Sequence, residues 1–520
     1  MYPGAYATTT PDKAAVIVAE TGAVVTFAEL EANSIRIARV LYELGLRRGD
    51  NLAVLATNNV QVFDIYWAAM RSGVYLTMVN WHLTAPEGAY IVEDCDAKVV
   101  IVDSALPELA AALADLIPAE VIRLSFGGEL DGYASLDTAA ALESDVPLPD
   151  QPRGADMLYS SGTTGRPKGI KPVLPDRQIQ DAGDQMTVMN QSAWGVTDSD
   201  VYLSPAPLYH AAPLRTCASV QALGGTVVVM DRFNEEKALE YIEKYRVTYS
   251  QWVPTMFVRM LKLPQETRDR YDISSLRLAV HAAAPCPVDV KRRMIEWWGP
   301  ILDEYYSSTE LNGMTIVHSD EWLRKPGTVG RAALGVLHIC GENGEDLPAG
   351  EVGTLYFERD VLPFNYHNAP EKTREAQHRA HPTWTTTGDV GYVDEDGYLF
   401  LTDRKSFMII SGGVNIYPQE IENALIEHPS VLDAAVIGVP DDEMGEIVMA
   451  VVEPVPGVEA GDALRDELLD HLRGQIAKYK LPKRLVFSTD LPRTPTGKLV
   501  KGKLRDRYSD TRPSDEAVTR

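Results

Sequence analysis

Residues 159–169 read Tyr-Ser-Ser-Gly-Thr-Thr-Gly-Arg-Pro-Lys-Gly. Glycines let backbone N–H groups approach a bound group closely. The hydroxyls of Ser160, Ser161, Thr163 and Thr164 and the N–H groups around Gly162 can donate to anionic oxygens, and Lys168 adds a point charge. Such a stretch is a cradle for a polyphosphate. It differs from the P-loop: Pro167 stands where that motif has Gly before its Lys, and Gly169 where it has Ser or Thr.

Further chemistry-bearing blocks follow in order. Residues 205–213 read Pro-Ala-Pro-Leu-Tyr-His-Ala-Ala-Pro, whose three prolines predict an extended, rigid segment around His210. His281-Ala282-Ala283-Ala284-Pro285 puts small residues at a predicted strand end, leaving room for a flat ring. In Tyr305-Tyr306-Ser307-Ser308-Thr309-Glu310, Tyr306 offers an aromatic face, Thr309 a hydroxyl, and Glu310 a hard oxygen ligand suited to Mg²⁺. Asp389 and the Asp403-Arg404-Lys405 run bracket a predicted hairpin at 392–399, where Asp396-Gly397 is the turn signal. Gly412 and Gly413 permit a tight turn, and residues 492–498 close the series as Pro-Arg-Thr-Pro-Thr-Gly-Lys.

These ordered blocks, spanning 159 to 498, resemble those of the adenylate-forming superfamily: acyl-CoA synthetases, peptide-synthetase adenylation domains and luciferases. Similarity to the AMP-forming fatty-acyl-CoA synthetases is close and covers nearly the whole chain. Two positions depart from the pattern: Ala282 and Ser307 stand where Gly is usual. The resemblance implies ATP, Mg²⁺ and coenzyme A as cosubstrates, with ATP held by Ser160, Ser161, Gly162, Thr163, Thr164, Lys168, Ala283, Ala284, Tyr305, Tyr306, Asp389 and Arg404. It implies a metal at Glu310 and Thr163, the α-phosphate at Thr309, and pantetheine along Gly412 and Gly413. By the same likeness, His210 lines the acyl pocket and gates the thiol tunnel, and Lys498 is the lysine required for adenylation. The implied reaction has two halves. A carboxylate attacks the α-phosphate to give acyl-AMP and pyrophosphate, and the CoA thiol then displaces AMP. Lys498, Thr309, Glu310 and His210 are the catalytic candidates.

Alternating helix and strand signals favour an α/β layered fold with parallel strands. Thr26-x-x-Glu29 caps a helix over 26–44, residues 52–55 form a strand, 63–71 a helix, and Thr84-x-x-Glu87 caps another with Pro86 in its first turn. Residues 99–102 give a strand, 103–155 a surface excursion, and 157–159 a short strand feeding the phosphate loop. Strands follow at 226–230, 247–254 and 276–280, with a helix over 234–245. Beyond 403, a helix starts at Glu420, two strands flank an acidic loop, and a helix over 461–478 aligns Leu464, Leu468, Leu472 and Ile476. With the resemblance, the expectation is a large multi-sheet N-terminal domain at 1–402, a hinge at 403–405, and a small mobile α+β C-terminal domain at 406–520.

At 520 residues and net charge −25, the chain disfavours nucleic acid or an anionic membrane as its main partner. No apolar run long enough to span a bilayer is apparent, and no signal-peptide pattern or peroxisomal address. Four well-separated cysteines, Cys95, Cys217, Cys286 and Cys340, fit reduced thiols, so a cytoplasmic enzyme is expected. Residues 473–507 are the exception in charge, with eleven Lys and Arg against two Asp. That run reads as a solvated basic face, a landing site for the CoA phosphates, or a peripheral membrane contact. Acyl-pocket candidates are His210, Trp252, Val253, Ala282, Ser308 and Leu311, mostly apolar or small, with no Asp partner for an α-amino group. A hydrophobic acid is therefore expected over an amino acid. Transfer to a separate carrier protein instead of CoA is the alternative; a luciferase-like oxygenase and an inactive acyl-binding protein are more distant rivals.

Overall fold

The computed structural model describes residues 1–160, 167–182, 184–404, 407–411, 414–441, 444–493 and 499–508. Two sheets organise the large domain. One has nine strands, with six parallel at its centre in the order Leu302–Ser307, Leu278–His281, Tyr249–Trp252, Val201–Ser204, Thr226–Val229 and Ala14–Val18. The other has six strands, all parallel, running from Ala134–Ser135 through Ile122–Phe126, Ala97–Asp103, Asn51–Leu55 and Tyr75–Val79 to Ala155–Asp156.

The central strands are apolar on both faces, as parallel strands covered by helices must be. A single apolar cluster joins the two sheets. In it, Phe27, Phe63 and Trp67 of the helices Phe27–Glu43 and Gln61–Arg71 meet Tyr202, Val227 and Tyr249 of one sheet and Leu52, Val54 and Leu76 of the other. Separate clusters around Trp252, Phe257 and Trp298, and around Val92, Val100 and Leu113, cover the outer faces. The Thr26–Glu29 and Thr84–Glu87 capping boxes both form, satisfying helix N–H groups at the expected starts.

Several expectations change. Residues 103–155 are no mere surface excursion: Ile122–Phe126 is a strand of the parallel sheet, with Leu124 and Phe126 buried. Arg123 and Ser125 interrupt its apolar run, so the burial comes from its neighbour Ala97–Asp103 and leaves little local signal. The strand before the phosphate loop is Leu158–Ser160. It pairs antiparallel with Lys168–Lys171 in a separate three-stranded sheet, so the loop joins two antiparallel strands and does not cap a parallel one. Pro213 lies in the first turn of the helix Ala211–Ala222, where a missing N–H costs nothing. The helix expected to 478 is Asp462–Arg473; Ile476 has left it but packs on the same core.

The small domain is a five-stranded sheet around the hairpin Val431–Asp441 and Gly445–Pro454, covered by the helices Pro418–Ile426 and Asp462–Arg473. All four cysteines are free. Among the described residues no helix is long and apolar enough to cross a membrane.

Candidate active site

Four segments that carry the sequence candidates leave the nine-stranded sheet at one edge. Residues 205–210, 253–255, 282–285 and 308–312 each follow the C-terminal end of a parallel central strand. Ligands of open α/β sheets bind at that edge.

A cavity of about 940 Å³ opens there. Ala282, Ala283, Ala284, Tyr305, Tyr306 and Asp389 line its large-domain side. Tyr306 and Tyr305 alternate along Leu302–Ser307 and so diverge. The Tyr306 hydroxyl donates to Asp389 Oδ2 at 2.6 Å, and Thr387 Oγ1 donates to the same oxygen at 2.8 Å. Tyr305 turns the other way: its ring packs against Trp194 and its hydroxyl accepts from Gln251 Nε2 at 2.8 Å. Burial pushes the Tyr305 phenol up to about 12. Of the two expected aromatics, only Tyr306 faces Asp389. Ala283 is held at φ +75°, a left-handed conformation that favours glycine. The neighbouring Ala282, where the family pattern has Gly, needs no such conformation.

Beneath this loop lies a buried ion pair. Lys291 Nζ stands 2.7 Å from Glu304 Oε2, with His281 Nε2 3.4 Å from the same oxygen. Burial raises the Glu304 carboxyl; burial and the Lys291 charge hold His281 well below its ordinary value, so it is neutral. The pair ties the helix Val288–Trp298 to the strand Leu302–Ser307, which carries the tyrosines, beside His281 at the end of its own strand.

Thr309, Glu310 and Lys168 form a second group. The Tyr366 hydroxyl donates to Glu310 Oε1 at 2.8 Å, and Lys168 Nζ stands 5.4 Å over the Tyr366 ring. Thr309 O accepts from Arg215 Nη1 at 3.1 Å, while Arg215 Nε and Nη2 bond Asp156 Oδ2. Sequence reasoning missed Tyr366, Arg215 and Asp156. A lone arginine in the apolar run Leu214–Val220 was a usable signal, since a cation buried there needs a partner. Nothing local marks Tyr366.

His210 stands directly before Ala211–Ala222, with its ring 4.6 Å from that of Tyr209. Trp252 is a correction: it is buried in the cluster with Phe257 and Trp298, its indole N–H donating to Ser250 Oγ, and it is not among the residues lining this cavity. Val253 and Ala282 do line the cavity. Ser308 Oγ donates to Asn312 Oδ1, and Leu311 sits at φ +50°.

The small domain forms the opposite wall through Gln419, Glu422, Asp433, Glu453, Arg493, Leu499 and Lys501. Lys498 lies outside the described residues, but Arg493 and Leu499 on either side of residues 494–498 reach the cavity. Ser161, Gly162, Thr163, Thr164, Gly412 and Gly413 also lie outside them, as do the side chains of Ser160, Asp403 and Arg404. The Arg404 backbone is the cross-strand partner of Asp389. Several cations of the basic run are paired within the small domain: Lys480 with Glu420, Arg493 with Asp433 and Lys501 with Glu422. A sequence window cannot see such distant partners.

No cluster of three or more metal-ligating side chains occurs among the described residues. Glu310 alone fits a Mg²⁺ that arrives already coordinated by phosphate oxygens. A buried carboxylate beside a phenol suits a vicinal diol, and the small-residue loop suits a flat base, so the large-domain wall fits a nucleotide.

The profile of AMP-binding enzymes matches residues 5–362, and that of the AMP-binding enzyme C-terminal domain matches residues 420–498. The chain belongs to the AMP-binding enzymes. It is 33% identical to the long-chain-fatty-acid–CoA ligase FadD13 of Mycobacterium tuberculosis over 98% of both chains. It is equally identical to a feruloyl-CoA synthase of Amycolatopsis, over 95% of this chain and 96% of the relative. Its structure matches that of ATP-bound MatB from Rhodopseudomonas palustris with a TM-score of 0.83 at 32% identity, over 98% and 99% of the two chains. The AMP-binding enzyme described here is thus an adenylate-forming acid–thiol ligase of the acyl-CoA synthetase type, using ATP, Mg²⁺ and CoA. The large N-terminal and small C-terminal domains are those of this family.

Proposed function

We propose that this ligase activates a hydrophobic carboxylic acid, in the first instance a fatty acid, and passes it to CoA. One observation supports the reading above the others: the Tyr306–Asp389 pair and the flanks of residues 494–498 line one cavity, and the Thr309–Glu310 loop directly follows the strand that carries Tyr306. In this reading Asp389 and Arg404 hold the ribose hydroxyls, Tyr306 stacks on adenine, and Ala283 and Ala284 back the ring. Thr309 donates to the α-phosphate, and residues 160–164 with Lys168 hold the β- and γ-phosphates. Glu310 and Thr163 hold Mg²⁺, which supplies charge neutralisation on the phosphates. Lys498 neutralises charge as the carboxylate meets the α-phosphate, the largest single contribution expected at such a step.

An oily acyl group suits the surroundings of His210. Tyr209, in the main apolar cluster, packs its ring against His210, Ala211 follows His210 and packs on the same cluster, and Arg215 is paired with Asp156 and so offers no cation to a second carboxylate. The named relatives act on fatty and on aromatic acids, and both are within reach of this environment. Residues 403–405 serve as the hinge between units 1–402 and 406–520. Turning about Asp403 withdraws Lys498 and brings Gly412 and Gly413 to the pantetheine arm.

A panel of carboxylic acids, scored by pyrophosphate release from ATP, tests the reading, with CoA and a holo-carrier protein as competing acceptors. Medium- and long-chain fatty acids should turn over best, with CoA preferred. Release of ADP and phosphate in place of AMP and pyrophosphate would overturn it, and preference for the carrier would move the enzyme to the alternative class. Asp403→Pro should spare adenylate formation and cripple thioester formation.

A further inference from the structure

The loop 308–312 carries Thr309 and Glu310, yet its shape is set from outside it. Arg215, from the helix after His210, donates to Thr309 O. Arg359, directly after the strand Gly353–Glu358, donates through Nη1 to Leu311 O at 3.1 Å and to Asn312 O at 3.5 Å. Between them Leu311 adopts φ +50°, a left-handed conformation disfavoured for a residue that carries a side chain. Asn312 Nδ2 ties the end of the loop to Thr385 O, and Ser307 Oγ ties its start to Gly313 O. Two guanidiniums from separate segments therefore hold a strained turn by its carbonyl oxygens.

We infer that Arg215 and Arg359 are positioning residues that clamp the Thr309–Glu310 loop in its phosphate-facing shape. The inference rests on the proposed role of that loop in adenylation. A peptide unit is planar and trans, so its C=O and the following N–H point in opposite directions. Drawing Thr309 O toward Arg215 turns the Glu310 N–H the other way, and drawing Leu311 O toward Arg359 does the same for the Asn312 N–H. Carbonyl oxygens left unpaired beside a triphosphate would repel it; here they face cations. Arg215 adds a second link. Its partner Asp156 ends the short strand Ala155–Asp156, one residue ahead of the strand Leu158–Ser160 that leads into the phosphate loop, so one side chain couples both phosphate-contacting segments. The rigid planar fork of arginine holds the carboxylate through two N–H groups and the carbonyl through a third, a fixed geometry that the flexible lysine ammonium does not reproduce.

Arg359 is the better test, because it is partly exposed and leaves no buried anion behind. In Arg359→Met the kcat of acid-dependent ATP–pyrophosphate exchange should fall about ten- to a hundredfold, with the KM values for ATP and acid changing less than about twofold. Arg359→Lys should recover part of the loss. Leu311→Gly in the Arg359→Met background should recover more, since glycine holds the left-handed turn without a clamp; a merely structural arginine would gain nothing from it. The charge-balanced pair Asp156→Asn with Arg215→Gln should also lower kcat. Independently of turnover, amide hydrogen exchange at 309–312 should quicken in Arg359→Met. Unchanged exchange protection, or an unchanged kcat, would overturn the clamp. Absence of exchange activity in the wild-type protein with every acid would instead overturn the proposed function, and the amide measurement would still decide the clamp.

Discussion

The two walls of the cavity are built differently. On the large-domain side the polar groups are fixed by other segments of that domain: Asp389 receives two hydroxyls, Glu310 one, and the 308–312 carbonyls two guanidiniums. On the small-domain side Arg493 holds Asp433 and Lys501 holds Glu422, all within that domain. The contact across the boundary that stands out is a lysine. Lys262 Nζ, following the helix Pro254–Leu261, donates to Val431 O at 3.0 Å and Leu432 O at 3.3 Å. In the proposed cycle one wall is preorganised against the nucleotide and the other is a body to be lifted away whole. Two successive reactions at one site call for that asymmetry, the first wall serving both steps and the second serving them in turn.

The comparison is broken most severely from the fixed side. Glu310→Gln keeps the shape and removes the anion, and should cost about a hundredfold or more in pyrophosphate exchange. Tyr366→Phe deletes the phenol that orients Glu310 and should cost far less. Equal effects would mean that Tyr366, not Glu310, is the functional group. Asp389→Asn should act differently again. Losing a charge-assisted contact to the ribose should raise the KM for ATP about tenfold, with a smaller change in kcat. Titrating exchange rates with ATP separates the two patterns.

Much of the fixed wall was legible in the sequence, and the reason is local. Thr309-Glu310, Asp389 and Ala283-Ala284 fall at strand ends, where residue type and the strand signal coincide, and the capping boxes announced their helices. The residues that hold them in place were not legible. Arg215 and Arg359 act through carbonyls more than 40 positions away in the chain, and Tyr366 reaches Glu310 across 56. Trp252 shows the converse error: it follows the strand rhythm toward the pocket, but alternation turns its ring into the opposite core. Proximity in sequence to a site is a poor guide to which face a strand residue takes. The Ile122–Phe126 strand was hidden for a related reason, its burial being conferred by a neighbour.

Lys262→Met sharpens the comparison from the movable side. If the lysine helps to hold the small domain against the cavity, adenylate formation should slow about fivefold, the scale of one charged hydrogen bond partly exposed to water. Consumption of preformed acyl-adenylate by CoA should fall less, or rise. Equal losses in the two half-reactions would show the contact to be incidental to domain pose.

The smallest effect concerns pH. Glu453 lies across from Asp433 on the small-domain wall, and its carboxyl is raised by burial first, then by the charges of Asp433 and Asp490, with Arg493 and Lys262 pulling the other way. An acid whose folded value is raised contributes stability that is fully present below its unfolded pKa and lost as pH rises through the folded value. The small-domain wall should therefore weaken modestly as pH climbs out of the ordinary glutamate range. Glu453→Gln should flatten the dependence. Lys262→Met should steepen it and move it to higher pH, because it removes a cation that favours the ionised carboxylate. Thermal midpoints of the three proteins between about pH 4 and 7 decide the matter, and identical profiles would mean that Glu453 titrates without being felt by the domain contact.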